Sequence, residues 1–337
     1  MHIRKRHNSR ALLAIERIGI PCVLALLCII CMQYLGAAIL FADRVQLQPS
    51  INAPPRVVVG ISTFGQRVFH MGPTIQNIFA QTRRPDRVIV SIPKVYRQAS
   101  AETTRCPGWT NDNCGTDNSQ FDESQANLLD WFGHVTNASS GPTRSGPDIF
   151  EFPGPLTVHF LDHDWGAGTK ALGVLMLEHE PDTILVTMDD DMVYHNETIR
   201  YLADHEARDM ALSFGCETWE LFHTGWIGYP PGHNFFTSLF PGARICNGWL
   251  SGWTAVAYRV GHFGPDVWTF LDPLPRGCFY NDDVWLSGYL ARRGIARVYV
   301  PGVISHSFHR RDEKLSLSTI VGNREKYGYP CARALFA

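Results

Sequence analysis

The chain has 337 residues, 45 % of them hydrophobic and 18 % charged, which is the balance of a globular protein and not of a disordered or fibrous one. A formal net charge of -2 argues against the basic surface of a dedicated nucleic-acid binder, so no nucleic-acid partner is expected.

Residues 1–17 carry Arg4, Lys5, Arg6, Arg10 and Arg17 against one acid, Glu16. The run that follows, IGIPCVLALLCIICMQYLGAAILF (18–41), contains no charged side chain. Its length suits a helix crossing a hydrocarbon core of ~30 Å, which takes about 20 residues. Basic residues before the run orient the amino terminus to the cytoplasm. Residues 1–17 therefore read as a cytoplasmic tail and 18–41 as a single-pass type II anchor in a membrane of the Golgi or endoplasmic reticulum. A cleaved signal peptide is the alternative, but the run exceeds the usual apolar core of about 7–15 residues and lacks a small-x-small exit. The expected lumenal location agrees with glycosylation sequons at Asn137 and Asn196. It also agrees with six cysteines beyond the anchor, Cys106, Cys114, Cys216, Cys246, Cys278 and Cys331. Their even number allows disulfides, whose pairing spacing does not give, and they show no zinc-site spacing.

Residues 42–55 read as a short stem ending in prolines. Then RVVVGIST (56–63) reads as a strand, MGPTIQNIFAQTRRP (71–85) as a helix stopped by proline, and RVIVSIP (87–93) as a second strand. This alternation predicts an α/β fold with a mostly parallel sheet flanked by helices. Residues 96–155 are rich in Gly, Pro, Asn, Asp and Ser and read as an irregular insertion with one helix near ESQANLLDWF. A bridge between Cys106 and Cys114 would staple it. The pattern resumes with a strand LTVHFL, a helix GTKALGVLMLEHE and a strand TILVTMDDD. A helix from Thr198 to Asp209, a strand ALSFGCE, the segment SGWTAVAYR, a helix DDVWLSGYLARR and a β-like run ARVYVPGVISH complete one domain over 56–337.

Three adjacent aspartates at the end of an apolar strand are the least expected feature. If the segment is extended through Asp191, side chains alternate, with Asp189 and Asp191 on one face and Asp190 on the other. Paired carboxylates at the carboxyl end of a parallel strand suit a hard divalent cation, whereas an acidic turn in solvent is the plain alternative.

The order of motifs resembles nucleotide-sugar glycosyltransferases of the GT-A (Rossmann-like) fold, especially the broad family 2. VVVGISTFGQR with TIQNIFAQTRRPDRVIVSIP is similar to that family's first strand, helix and second strand; TILVTMDDD is similar to its D-x-D strand; NDDVWLSGYLARRGIARVYVPGVISH is similar to its acidic pair, helix and terminal strand. The resemblance spans roughly 56–311. It implies Mn2+ or Mg2+ held by Asp189 and Asp191, with His306 as third ligand, bridging the diphosphate of a nucleotide-sugar donor. It further implies Asp283 as general base toward the hydroxyl of a glycan, protein or lipid acceptor, preceded by Asp282, with inversion at the anomeric carbon. Ser62, Thr63, Arg67, Lys170 and Asp190 fall where the donor would bind, and Gly252 and Trp253 on the acceptor side. Ser91 departs from the family, whose second strand usually ends in an acid. Two other readings are weighed against this one. ILVTMDDDMV also satisfies the D-x-D-x-[TV] signature of Mg-dependent phosphatases, although no lysine lies between residues 192 and 282. A membrane-tethered sugar- or nucleotide-binding module without catalysis would need no base.

Overall fold

The computed structural model describes residues 44–45, 55–94, 125–205, 208–218, 242–300, 307–308 and 324–337. Val45–Ala337 forms one compact unit. The expected anchor at 18–41, nearly all of the stem, Cys106, Cys114 and His306 lie outside the described residues. Among the described residues, no helix is long and apolar enough to cross a membrane.

Strand β1 (Val57–Ser62), helix α1 (Gly72–Phe79) and strand β2 (Arg87–Pro93) form as the sequence predicts. Helix α2 (Gln125–Val135) and strands β3 (Thr143–Gly146) and β4 (Ile149–Glu151) follow. Next come β5 (Leu156–Leu161), α3 (Thr169–Leu175) and β6 (Ile184–Thr187). The chain continues through β7 (Met192–Val193), α4 (Thr198–His205), β8 (Met210–Ser213) and β9 (Cys216–Glu217). Beyond these lie β10 (Ala243–Ile245), β11 (Trp249–Leu250), β12 (Val256–Arg259), α5 (Asp282–Arg292) and β13 (Ala296–Tyr299). Strand β14 (Ser307–Phe308) and helix α6 (Arg324–Phe336) complete the order.

The central sheet runs β10-β13-β8-β12-β6-β1-β2-β5-β4-β3. Its middle is parallel, with β1 between β6 and β2, and β2 beside β5. Continuous β-branched runs fit there because both faces are covered. Val57, Val59 and Ile61 pack toward Ile75, Ile78, Phe132 and Ile199. The opposite face at Gly60 meets α3, where an added Cβ would stand 2.2 Å from the Lys170 carbonyl oxygen. Strand β12 runs antiparallel to both β6 and β8, so the sheet is mixed.

One expectation changes. The described part of the supposed irregular insertion is ordered: α2 precedes a β3–β4 hairpin that extends the sheet antiparallel to β5. Its polar composition reflects an exposed edge, with Thr143, Arg144 and Ser145 all facing solvent. In SGWTAVAYR, a single turn at Gly252–Thr254 leads through Ala255, at φ 71°, into β12. Among the described residues, two disulfides form, Cys216–Cys246 and Cys278–Cys331.

Candidate active site

The aspartate run leaves its strand early. Strand β6 ends at Thr187, and the expected alternation of Asp189 and Asp191 against Asp190 does not hold, because the backbone is already turning at these residues. Asp190 and Asp191 are buried together against Arg67, while Asp189 turns to Lys170. Arg67 Nε donates to Asp190 Oδ2 at 2.9 Å, Nη2 pairs with Asp190 Oδ1, and the same nitrogen lies 3.7 Å from Asp191 Oδ2. Burial alone would lower the guanidinium pKa, but Asp190 and then Asp189 outweigh it and raise it. Arg67 also lies over the Phe64 ring.

Helix α1 holds the turn from beneath. Thr74 Oγ1 donates to the carbonyls of Asp190 at 3.1 Å and Met192 at 2.9 Å. Asn77 brackets Tyr194, donating to its carbonyl at 2.9 Å and accepting from its amide at 2.8 Å. The Tyr194 hydroxyl accepts from the Asp189 amide at 2.7 Å. Three polar side chains thus satisfy backbone groups that a strand would have paired.

The second acidic cluster opens α5. Asp282 and Asp283 occupy the first turn, where carboxylates favour the helix dipole. Lys170, in the first turn of α3, reaches both clusters: its ammonium lies 2.6 Å from Asp189 Oδ1 and 2.9 Å from Asp282 Oδ2. Lys170 is 4 % exposed. Burial by itself would lower its pKa; Asp189, Asp282 and Asp283 more than offset this and hold it well above the ordinary lysine value. Burial raises the Asp282 carboxyl, opposed by Lys170. Asp283 rises well above the usual carboxylate range, first through burial and next through Asp282, with the Gly252 amide opposing. Gly252 closes this cluster on a third side, since a Cβ there would stand 2.2 Å from Asp283 Oδ1 and 3.2 Å from Lys170 Nζ.

Of the other residues singled out in the sequence, Ser62 ends β1 in register with Ser91. Thr63 follows it, buried, and its hydroxyl finds no hydrogen-bond partner among the described residues. Trp253 is half-buried and packs against the core. Asn137, at φ 52°, and Asn196 are both exposed. Sequence reasoning overlooked Thr74, Asn77 and Tyr194. A polar pair at helical spacing on the sheet-facing side of α1 was the available signal for the first two.

The donors at the strand end are carboxylate oxygens, the chemistry that Mn2+ or Mg2+ takes. Among the described residues, no three His, Cys, Asp or Glu side chains are grouped to hold a metal. Asp189 and Asp191 are donors of suitable type, one turned to Lys170 and the other to Arg67, and short of a complete set.

No protein-family model matches the sequence, and neither does any curated protein. Among solved structures, the chain is similar to a mannosyltransferase from Pyrobaculum calidifontis in complex with GDP-Man and Mn2+, at 16 % identity over 86 % of this chain and 67 % of that one, with TM-score 0.45. It is also similar to glucosyl-3-phosphoglycerate synthase from Mycobacterium tuberculosis in complex with Mn2+, UDP and phosphoglyceric acid, at 10 % identity over 86 % and 85 % of the two chains, with TM-score 0.39. A galactosyltransferase in complex with donor and acceptor sugar analogues matches at 9 % identity over 71 % and 70 %, with TM-score 0.34. These likenesses are distant, and the functional reading rests on the chain's own residues.

Proposed function

We propose that this chain is a metal-dependent glycosyltransferase that moves a sugar from a nucleoside-diphosphate sugar to an acceptor hydroxyl, with inversion. The observation that carries the reading is the meeting of two acidic motifs, distant in sequence, on one buried ammonium: Asp189 and Asp282 share Lys170. Carboxyl ends of parallel strands are where ligands gather in open α/β sheets, and Asp189 follows such an end.

Asp189 and Asp191 would hold the divalent ion, with His306 as the further donor that the family resemblance implies. When bound, the ion supplies Lewis-acid stabilisation to a diphosphate leaving group. Arg67 fixes Asp190 and Asp191, and Thr74 fixes the turn that carries them. Asp283 accepts the proton from the acceptor hydroxyl; its raised pKa suits a carboxylate that must take up and keep a proton. A base of this kind, placed on the face opposite the leaving group, gives inversion.

One observation favours a second reading. The phosphatase signature calls for a lysine near its first aspartate, and Lys170 stands there in space although it precedes Asp189 in sequence. One experiment separates the two. The full-length chain, produced through a secretory route so that both disulfides form, is incubated with a panel of nucleotide sugars and, separately, with p-nitrophenyl phosphate. We expect manganese-dependent release of nucleoside diphosphate from one donor, abolished by Asp189→Ala and Asp191→Ala, and no release of p-nitrophenol. Phosphate ester hydrolysis without donor breakdown would favour the phosphatase. Donor binding that persists unchanged in Asp283→Asn, with no turnover in either protein, would favour the non-catalytic module.

The proposed location is a single-pass type II protein of the Golgi or endoplasmic reticulum with a lumenal catalytic domain. The basic tail, the apolar run 18–41 and the two sequons support it. Exposure of Asn137 and Asn196 suits glycan attachment. A glycosidase-sensitive mass shift that disappears in Asn137→Gln/Asn196→Gln is the expected result. Absence of the shift in secretory-pathway cells would count against a lumenal domain.

A further inference from the structure

Lys170 opens a helix after a glycine-containing loop, which in sequence suggests a cation offered to the donor's diphosphate. Its geometry differs from that suggestion. The ammonium is turned inward and is shared by two carboxylates from different elements, Asp189 after β6 and Asp282 at the start of α5. A lysine so engaged has two of its three donor hydrogens committed to the protein.

The backbone around it is locked from several sides. The Lys170 carbonyl rests against Gly60 of β1, where no Cβ fits. Gly168 lies against the Trp285 ring of α5, with an added Cβ at 2.3 Å, and Gly166, at φ 62°, lies against the Phe279 carbonyl at 2.0 Å by the same measure. Within the loop, the Trp165 amide donates to Thr169 Oγ1 at 3.0 Å and the Gly166 amide to Asp164 Oδ1 at 2.7 Å. These contacts tie the loop to the sheet and to α5 at once, with Gly252 completing the enclosure of the ammonium. The local architecture sets where the ammonium stands, and the ammonium sets where the carboxylates stand.

We propose that Lys170 is a positioning residue that fixes the donor-side carboxylate Asp189 relative to the acceptor-side pair Asp282 and Asp283, and that it does not ligate the donor. This rests on the transferase reading above and deepens it, because it makes the spacing between donor and base a property of one side chain. The alternative role, a diphosphate ligand, predicts a different pattern of losses.

The test measures binding of UDP and GDP with and without manganese by calorimetry, and donor turnover as kcat and KM, for the full-length chain and for Lys170→Met and Lys170→Arg. For Lys170→Met we expect nucleoside-diphosphate affinity without manganese within about threefold of the unaltered chain, and a weaker affinity with manganese, because a lysine that only positions Asp189 acts on the nucleotide through the ion. Its kcat should fall about 100-fold, the scale of loss for a reacting group misplaced by about 1 Å. Lys170→Arg keeps the charge but has a longer, forked head. We expect it to keep the affinity and lose about tenfold in kcat, because displaced carboxylates are not restored by charge alone. Loss of manganese-free affinity in parallel with kcat in Lys170→Met overturns the proposal in favour of a diphosphate ligand. Full activity in Lys170→Arg overturns it in favour of a simple counter-charge. If Lys170→Met does not fold, Lys170→Gln, which removes the charge and keeps two donor hydrogens, is read in the same way, and Lys170→Arg decides the matter alone if neither folds. An unaltered chain that binds no nucleoside diphosphate overturns the transferase reading itself and the proposal with it, a result distinct from unequal behaviour among the variants.

Discussion

Gly252 stands so close to Asp283 that a single added methyl group would sit 2.2 Å from the carboxylate Oδ1, well inside any tolerable contact. The same methyl would lie 3.2 Å from Lys170 Nζ. Something must therefore shift, and each nearby group is already engaged. We predict that Gly252→Ala lowers kcat for donor turnover by about 100-fold, the scale of a 1 Å displacement at a reacting group, and destabilises the fold by about 1–3 kcal/mol through overpacking. Steady-state kinetics and thermal melts on the same preparation check both numbers. Unaltered kinetics would show that Asp283 is free to move aside and is not held for catalysis.

Arg67 is nearly buried and faces two buried carboxylates, Asp190 and Asp191. Removing the guanidinium takes its charge and hydrogen bonds away from this cluster, and breaking a buried pair in this way typically costs about 3–5 kcal/mol. We predict a loss of that order for Arg67→Met in urea denaturation. Arg67→Met/Asp190→Asn should recover part of it, because the second change removes one of the stranded charges. Equal stability of the single and double variants would mean that Asp190 is compensated from elsewhere.

The sequence made the central parallel strands legible because β1, β2 and β5 are buried on both faces and so are mostly apolar, interrupted only by residues such as Ser91, Thr157 and His159. Both acidic motifs were legible for a different reason: adjacent carboxylates are costly and stand out wherever they occur. What could not be read was their orientation. The alternation argument assumed that the strand extends through Asp191, but β6 stops at Thr187 and the turn sends Asp189 toward Lys170 and its two neighbours toward Arg67. That divergence depends on Thr74, Asn77 and Tyr194, whose hydrogen bonds to the turn come from tertiary packing and leave little trace in spacing. The polar composition of 143–151 misled in the opposite direction, since an exposed edge hairpin and an irregular loop draw on the same residues.

His262 provides a pH test away from the site. Its Nδ1 accepts from the Arg259 amide at 3.1 Å and its Nε2 meets the Arg208 carbonyl at 3.0 Å, so the neutral ring with hydrogen on Nε2 satisfies both. Burial is the main reason that its pKa falls from 6.5 to about 4; the Arg208 carbonyl opposes and Arg259 assists. The unfolded chain therefore binds more protons than the folded one between about pH 6.5 and 4. The stability tied to the neutral ring is fully present above pH 6.5 and is lost as pH falls toward 4. A difference of this size corresponds to about 3 kcal/mol by linkage. We predict that melting temperature falls more steeply between pH 7 and pH 4.5 for the unaltered chain than for His262→Gln. Parallel pH profiles would mean that other groups dominate acid sensitivity.

The disulfide Cys278–Cys331 joins the turn just before Asp282 to the carboxyl-terminal helix α6. It closes a loop of sequence separation 53, for which chain-entropy reasoning gives about 4 kcal/mol of stabilisation, within a usual range of about 2–5. Its position gives it a second consequence. Asn281 sits between the bridged turn and the acid pair, and its side chain donates to the Gly277 carbonyl at 2.6 Å, so loosening the turn loosens the start of α5. We predict that Cys278→Ser/Cys331→Ser lowers the melting temperature and reduces kcat more than it weakens nucleoside-diphosphate binding, because Asp189 and Arg67 lie on other elements. Cys216→Ser/Cys246→Ser should be the contrasting control, destabilising with a smaller effect on kcat, since that bridge braces the β9–β11 pair. Equal kinetic losses for both pairs would mean that the bridges act through global stability alone and that neither sets the position of the acid pair.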